Sequence, residues 1–212
     1  MTAKFITIEG TEGVGKTTNI AFIKNWLRAK NIDFNTTREP GGTPLAEEIR
    51  EILLAPRNES MAAAAELLLM FAGRAQHLNQ VIIPTLKSGR WVICDRFTDA
   101  TYAYQGFGRG MDHDLIESLE TLVQGDLRPD FTLILDIPVK LGLQRAGKRS
   151  SPDRFEQEEI VFFERVREGY LTLAKRHPQR YHVIDASDSI DNVQSDIASA
   201  LNDFYSRTVG NE

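Results

Sequence analysis

Three stretches of this 212-residue chain hold residues whose types and spacing suit them to phosphate chemistry. The first is Gly10-Thr11-Glu12-Gly13-Val14-Gly15-Lys16-Thr17, followed by Thr18, which fits G-x-x-x-x-G-K-[ST] at every fixed position. Glycines let backbone N–H groups turn toward phosphate oxygens, because no Cβ blocks the approach. A helix starting behind them adds its positive N-terminal end. Lys16 is then expected to reach the β- and γ-phosphates of a nucleotide, and Thr17 to offer its hydroxyl to Mg²⁺. The second signal is Arg38 together with the step Asp95-Arg96. A carboxylate beside a guanidinium suits a site with both a metal and a second anion, and two arginines can grip a phosphate bidentately. The third is Lys148 to Arg154, KRSSPDR, with Arg145 upstream. Ser150, Ser151 and Pro152 make a poor helix, so this basic stretch is expected to be a mobile loop over a triphosphate, excluding water.

These residues need elements to hold them. Phe5 to Ile8 forms a short β-rich run before the glycines, and Ile20, Ile23 and Leu27 recur at helical spacing after them. Asp33 to Arg38 is a weaker strand, ended by Glu39-Pro40-Gly41-Gly42. Thr43 is a candidate cap for the next helix, with Pro44 at its first position. A long helical pattern runs from Ser60 to Lys87, with Pro84 expected to kink its end. Trp91 to Cys94 is a buried strand closed by Asp95. Thr98 to Tyr104 can form a short helix ahead of the glycine-rich stretch from Gln105 to Gly110. Asp112 to Val123 is helical, Phe131 to Ile137 is the most apolar strand, Glu156 to Arg176 is a long helix, and Tyr181 to Asp185 and Ile190 to Tyr205 close the chain.

Strands alternating with helices, and apolar on both faces, predict an α/β fold with a parallel sheet of about five strands covered on both sides. Ligands of such sheets bind outside the carboxyl ends of the strands. The glycine loop, Arg38 and Asp95-Arg96 all fall there, so they are expected to converge on one crevice. Asp136 also ends an apolar strand and competes with Asp95 as the metal's partner. The length suits one domain, spanning 1–212, with a lid at about 145–155.

The formal net charge of −5 argues against general nucleic-acid binding. The single cysteine, Cys94, lies in an apolar run and is expected to be a buried thiol. The four histidines show no metal-ligand spacing. No signal peptide or bilayer-length apolar run is evident, so a cytoplasmic protein with no membrane association is expected.

Taken together, these motifs resemble the thymidylate kinase family, of the bacterial type with arginines in the lid. The resemblance rests on Ile8 through Thr18, Thr37-Arg38-Glu39-Pro40-Gly41-Gly42, Asp95-Arg96-Phe97, Tyr104-Gln105-Gly106 and Arg128-Pro129-Asp130. It implies a single P-loop NTPase domain of the nucleoside-monophosphate-kinase kind and transfer of a phosphoryl group from ATP to dTMP, with Mg²⁺, in a homodimer. It further implies roles residue by residue. Phe71 would stack on the thymine ring and Arg74 would bond a base carbonyl, although the plain reading of Phe71 is core packing. Gln105 would face N3–H, Thr101 and Tyr104 would line base and sugar, and Glu12 would approach the 3′-hydroxyl. Arg38 and Arg96 would hold the dTMP phosphate, and Arg145, Arg149 and Arg154 would belong to the lid. Phe97 stands where the family usually has Tyr or His, and Gly147 where a lid arginine is often found.

The acceptor implied is a phosphate oxygen, largely dianionic at neutral pH, so no strong general base is required. Catalysis would be positioning and charge neutralisation by Lys16, Arg96 and the lid arginines. Two other readings remain open on the residues alone. A nucleoside kinase would need a carboxylate base, for which Glu39 or Glu9 can be argued. A nucleotide-dependent switch would hydrolyse ATP slowly with no acceptor; the guanine-specific form is disfavoured by the absence of Asn-Lys-x-Asp.

Overall fold

The computed structural model describes residues 2–147, 153–156 and 158–209. Its centre is a five-stranded sheet in the order β2-β3-β1-β4-β5, made of β1 (Phe5–Glu9), β2 (Phe34–Arg38), β3 (Trp91–Asp95), β4 (Phe131–Asp136) and β5 (Tyr181–Asp185). Every neighbouring pair is parallel. All carboxyl ends therefore lie along one edge, where the residues with chemistry were expected.

β1 is buried along its whole length, and its alternate residues feed two cores. Ile6 and Ile8 join Ile93, Leu133 and Leu135 under α1 (Lys16–Ala29) and α9 (Ile190–Val209), through Ile23, Leu27, Ile197 and Leu201. Phe5 points the other way, to Val92, Cys94 and Phe97. That second face is completed by α8 (Ile160–Arg176), whose Phe163, Val166 and Tyr170 are buried. Thr7 and Thr132 bond across the buried strands at 2.8 Å, so both hydroxyls are satisfied. The period of two thus serves two apolar layers at once, which is why the central strands read as unbroken apolar runs.

Six further helices among the described residues surround this framework. They are α2 (Pro44–Leu54), α3 (Ala63–His77), α4 (Ile83–Lys87), α5 (Thr98–Thr101), α6 (His113–Gln124) and α7 (Val139–Ala146). Thr43 caps α2 by accepting from Ala46 N at 3.2 Å, with Pro44 in the first turn, as its sequence led one to expect. The long pattern from Ser60 is not one helix. A π-helical turn, Leu78–Ile82, separates α3 from α4 just ahead of Pro84. Proline has no N–H to give to the preceding turn, and the wider turn absorbs that missing bond.

The short helix expected over Thr98 to Tyr104 runs on into the glycine-rich stretch: α5 passes into a π-helical segment, Tyr102–Gly108. Gly108 serves close packing there: a Cβ would come within 2.7 Å of Phe162 on α8. The long helix expected from Glu156 begins only at Ile160. Before it, Asp153 Oδ1 accepts from Phe155 N and Glu156 N at 2.8 and 2.9 Å, an Asx-type turn that competes with the helix. No helix among the described residues is long and apolar enough to cross a membrane.

Candidate active site

The glycine loop leaves β1 and enters α1 as its spacing predicted. Gly13 has φ +73°, and a Cβ on it would lie 1.9 Å from the Gly142 carbonyl oxygen at α7, so no side chain fits. Gly15 precedes α1 with no side-chain cap, which leaves the first-turn N–H groups for an anion. Lys16 folds back over the loop and donates to Gly10 O at 3.1 Å and Thr11 O at 3.0 Å. Burial, and then the nearby Arg96 charge, lower its pKa from 10.5 to about 8. A bound polyphosphate would reverse that shift, because a nearby negative charge favours the ammonium form.

Thr17, Arg38 and Asp95 line one cleft beside the loop, with Thr36, Thr37 and Gly42. Asp95 Oδ1 is buried without a hydrogen-bond partner. A hydroxyl and a carboxylate oxygen left free in one cleft fit a magnesium ion that arrives with phosphates. Among the described residues no cluster of three or more His, Cys, Asp or Glu could hold a metal alone. The competing carboxylate, Asp136, is engaged by Arg167 in a bidentate pair at 2.7 and 2.8 Å.

A second cleft, partly open to solvent, adjoins the loop. Glu12, Arg74, Arg96, Thr101, Tyr104 and Gln105 all line it, so most of the expected acceptor residues are brought together. Arg96 has φ +65°, a left-handed conformation uncommon for a side chain of its size. Phe97 N helps pin it, donating to the buried Glu9 carboxylate at 2.7 Å. From there Arg96 Nη2 reaches Gly10 O, Glu12 Oε1 and the Tyr104 hydroxyl at 3.1, 2.9 and 2.7 Å, while its Nε is buried without a partner. Arg74 is only 3% exposed; its Nε pairs with Glu39 at 2.8 Å and its Nη2 donates to Thr101 at 2.9 Å. Its Nη1 is left buried and unpartnered. Burying a guanidinium donor unpaired is costly, so this atom points to a ligand acceptor.

Several placements differ from expectation. Phe71 does not line the cleft. It is buried with Leu67 and Ile116, where α3 meets α6, and Met70 faces the cleft instead. Adjacent helical residues lie about 100° apart, and the core side falls on Phe71. Phe71 still touches a cleft residue, since the Arg74 guanidinium sits 4.8 Å from its ring centroid and 5.1 Å from that of Phe97. Arg38 is half exposed, paired to Glu47 at 2.7 Å, and lines the metal-side cleft rather than the larger one. Arg50, which the sequence did not single out, lines the larger cleft and donates to Pro40 O at 2.8 Å. Burial, and then the charge of Arg38, depress its pKa, as expected for clustered cations awaiting an anion. Nothing in an amphipathic helix marks Arg50 as different from a surface arginine.

The lid candidates divide. Arg149 lies outside the described residues. Arg145 donates to Ala186 O at 3.0 Å, beyond β5. Arg154 donates to Leu53 O at 2.8 Å and pairs with Glu66 on α3. Neither guanidinium bonds the glycine loop in this conformation.

The thymidylate kinase family model matches residues 8–197. The chain belongs to the thymidylate kinase family. It is 60% identical to the thymidylate kinase of Teredinibacter turnerae over 96% of this chain and all of that one. It is 57% identical to that of Pseudomonas putida over 99% of this chain and all of that one. Its fold is similar to the crystal structure of thymidylate kinase from Ehrlichia chaffeensis, with a TM-score of 0.75 and 36% identity, covering 95% of this chain and 99% of that one. The five-stranded parallel sheet is thus the P-loop NTPase fold of the family. Phe97, beside Arg96, packs edge-on against Phe5 at 4.9 Å.

Proposed function

We propose that this chain transfers the γ-phosphoryl group of ATP to dTMP, giving ADP and dTDP, a step toward dTTP for DNA synthesis. The observation that carries the reading is the unpartnered, buried Nη1 of Arg74 beside Gln105, in a cleft that adjoins a phosphate loop. A donor next to an amide suits the C4 carbonyl and N3–H of a pyrimidine imide. Tyr104 and Thr101 would line base and sugar, and Tyr104 would crowd C2′ against a ribose hydroxyl. Glu12 would accept from the 3′-hydroxyl. Arg96 and Arg50, with Arg38 at the neighbouring cleft, would hold the acceptor phosphate.

The residues from Gly10 to Thr18 would bind the ATP phosphates through backbone N–H groups, with Lys16 reaching the β- and γ-phosphates. Thr17 and Asp95 would hold Mg²⁺, Asp95 directly or through water. When bound, the ion would neutralise negative charge on the ATP phosphates. No side chain need remove a proton, because the acceptor oxygen is already ionised. Arg96 would keep donor and acceptor in line. Arg145, Arg149 and Arg154 are the candidates for neutralising the moving phosphoryl group, which for Arg154 requires release from Glu66.

The reading includes a cytoplasmic homodimer that binds neither nucleic acid nor membrane. Leu45 and Ile52 on α2, Leu68 on α3 and Leu115 and Leu122 on α6 are 45–80% exposed on neighbouring helices, an apolar surface suited to a second copy. ADP formation from MgATP should be measured with dTMP, dUMP, dCMP, thymidine or no acceptor. Rapid turnover confined to the imide monophosphates is expected. Preference for thymidine would replace this reading with a nucleoside kinase, and equal slow turnover in every case would replace it with a switch.

A further inference from the structure

Glu66 touches neither substrate in the reading above, where it only holds Arg154, yet it is fully buried on α3 beside the acceptor cleft. Its Oε1 accepts from Gln105 Nε2 at 2.9 Å and from Arg109 Nε at 2.7 Å, and its Oε2 pairs with Arg154. Arg109 is anchored in turn by Glu158 at 2.9 Å. Burial alone would raise the pKa of Glu66, but the bonds from Arg109 and Gln105 outweigh it and hold it below the ordinary carboxylate value. Glu66 is therefore ionised at neutral pH and can only accept hydrogen bonds.

That decides how the Gln105 amide lies. An amide has one donating and one accepting end, and the chemistry of its partner assigns which end faces where. Turned the other way, Gln105 would set its carbonyl oxygen against a carboxylate, two buried acceptors with no proton between them. With Nε2 committed to Glu66, the carbonyl oxygen is the end left for the cleft. The cleft then offers a donor at Arg74 and an acceptor at Gln105. Thymine and uracil present the complement, an accepting C4 oxygen beside a donating N3–H. Cytosine presents the reverse, a donating amino group beside an accepting N3.

We propose that Glu66 is a positioning residue for base choice: it locks the Gln105 amide so that the cleft takes a pyrimidine imide and rejects cytosine. The proposal rests on the reading that Gln105 faces the base.

The test is kcat/KM for dTMP, dUMP and dCMP with the wild-type chain and with Glu66→Gln. A glutamine at position 66 can donate as well as accept, so the Gln105 amide is free to turn. The dTMP-to-dCMP preference should fall by about tenfold or more. The dTMP-to-dUMP ratio should not move, since both bases carry the same imide edge. Equal losses for all three acceptors would show a merely structural role and overturn the proposal. Because Glu66→Gln leaves Arg109 and Arg154 facing a neutral group and can fail to fold, Glu66→Asp is run beside it. It keeps the charge for both arginines but draws the carboxylate back from Gln105. It should show the same shift in ratio, and an unchanged ratio in a folded Glu66→Asp overturns the proposal equally. A wild-type chain that turns over dCMP as well as dTMP would instead refute the acceptor-site reading itself, before any variant is made.

Discussion

The glycine loop and the acceptor cleft lie side by side but are built in opposite ways. The loop is local: β1, residues 10–15 and the start of α1 are continuous in sequence, and its binding groups are mostly backbone N–H. The cleft is assembled from distant parts, with Glu12 on the loop, Glu39 after β2, Arg50 on α2, Met70 and Arg74 on α3, and Tyr104 and Gln105 in the π-helical segment. Its groups are side chains, and its charged ones hold one another: Arg74 pairs with Glu39 and Arg96 with Glu12. Damage to the loop should therefore remove chemistry and spare the fold, whereas damage to the cleft should cost both.

The sharpest separation is expected from Lys16→Ala. Turnover should fall about 10³-fold, as for loss of a main charge-stabilising contact on the moving phosphoryl group. Stability should change by less than about 1.5 kcal/mol, since only its bonds to Gly10 O and Thr11 O are lost. A stopped-turnover assay beside a urea melt measures both, and a variant with normal turnover would break the comparison on the loop side.

On the cleft side, Phe71→Ala and Met70→Ala should part company. Phe71 is 2% exposed in the core, and truncation should cost about 3–4 kcal/mol of stability. Met70 lines the cleft half-buried, so its truncation should cost about 1 kcal/mol and mainly raise KM for the acceptor. The opposite pattern would restore Phe71 to the base site. Arg74→Met comes next. It strands the buried Glu39 carboxylate with His77 alone, at a cost of roughly 3 kcal/mol, and should raise the acceptor KM while leaving KM for ATP unchanged.

An effect of another kind, on pH dependence, is expected beneath both regions, at Glu9. Its Oε2 accepts from Tyr170 at 2.9 Å while its Oε1 takes Phe97 N. Burial, and then neighbouring Asp99, push its pKa from 4.5 up to about 8. Burial raises Asp99 in the same direction. The folded state therefore holds protons that the unfolded chain releases. The stability this brings is complete below about pH 4.5 and is lost as pH rises toward 8. Melting temperature should fall between about pH 6 and pH 8, and Glu9→Gln should flatten most of that fall. Parallel curves for the two proteins would remove Glu9 as the cause.

How much was legible followed the same division. The strands and most helices were readable because the periods of 2 and 3.6 are written in adjacent residues. Thr43-Pro44 marked a helix start for the same local reason. The π-helical stretch at Gln105 to Gly108 was not readable, because glycine signals a turn in isolation and close packing only when a partner such as Phe162 is present. In sequence only the adjacent Arg96 favoured Asp95 over Asp136; in the fold Arg167, on a helix far along the chain, occupies Asp136 and leaves Asp95 Oδ1 unpaired.

By itself, then, the sequence determined the sheet's strands, the phosphate loop with Lys16 and Thr17, and, through motifs along the chain, the family. Each depends on contacts within a few residues or on a pattern carried whole. Only the tertiary structure decided that Met70 rather than Phe71 meets the cleft, that Arg50 joins Arg96 there, and that Glu66 orients Gln105. Helical periodicity gives a residue its face. Which neighbour covers that face, and which polar atom is thereby left unpaired, is set by packing among segments that are remote in sequence.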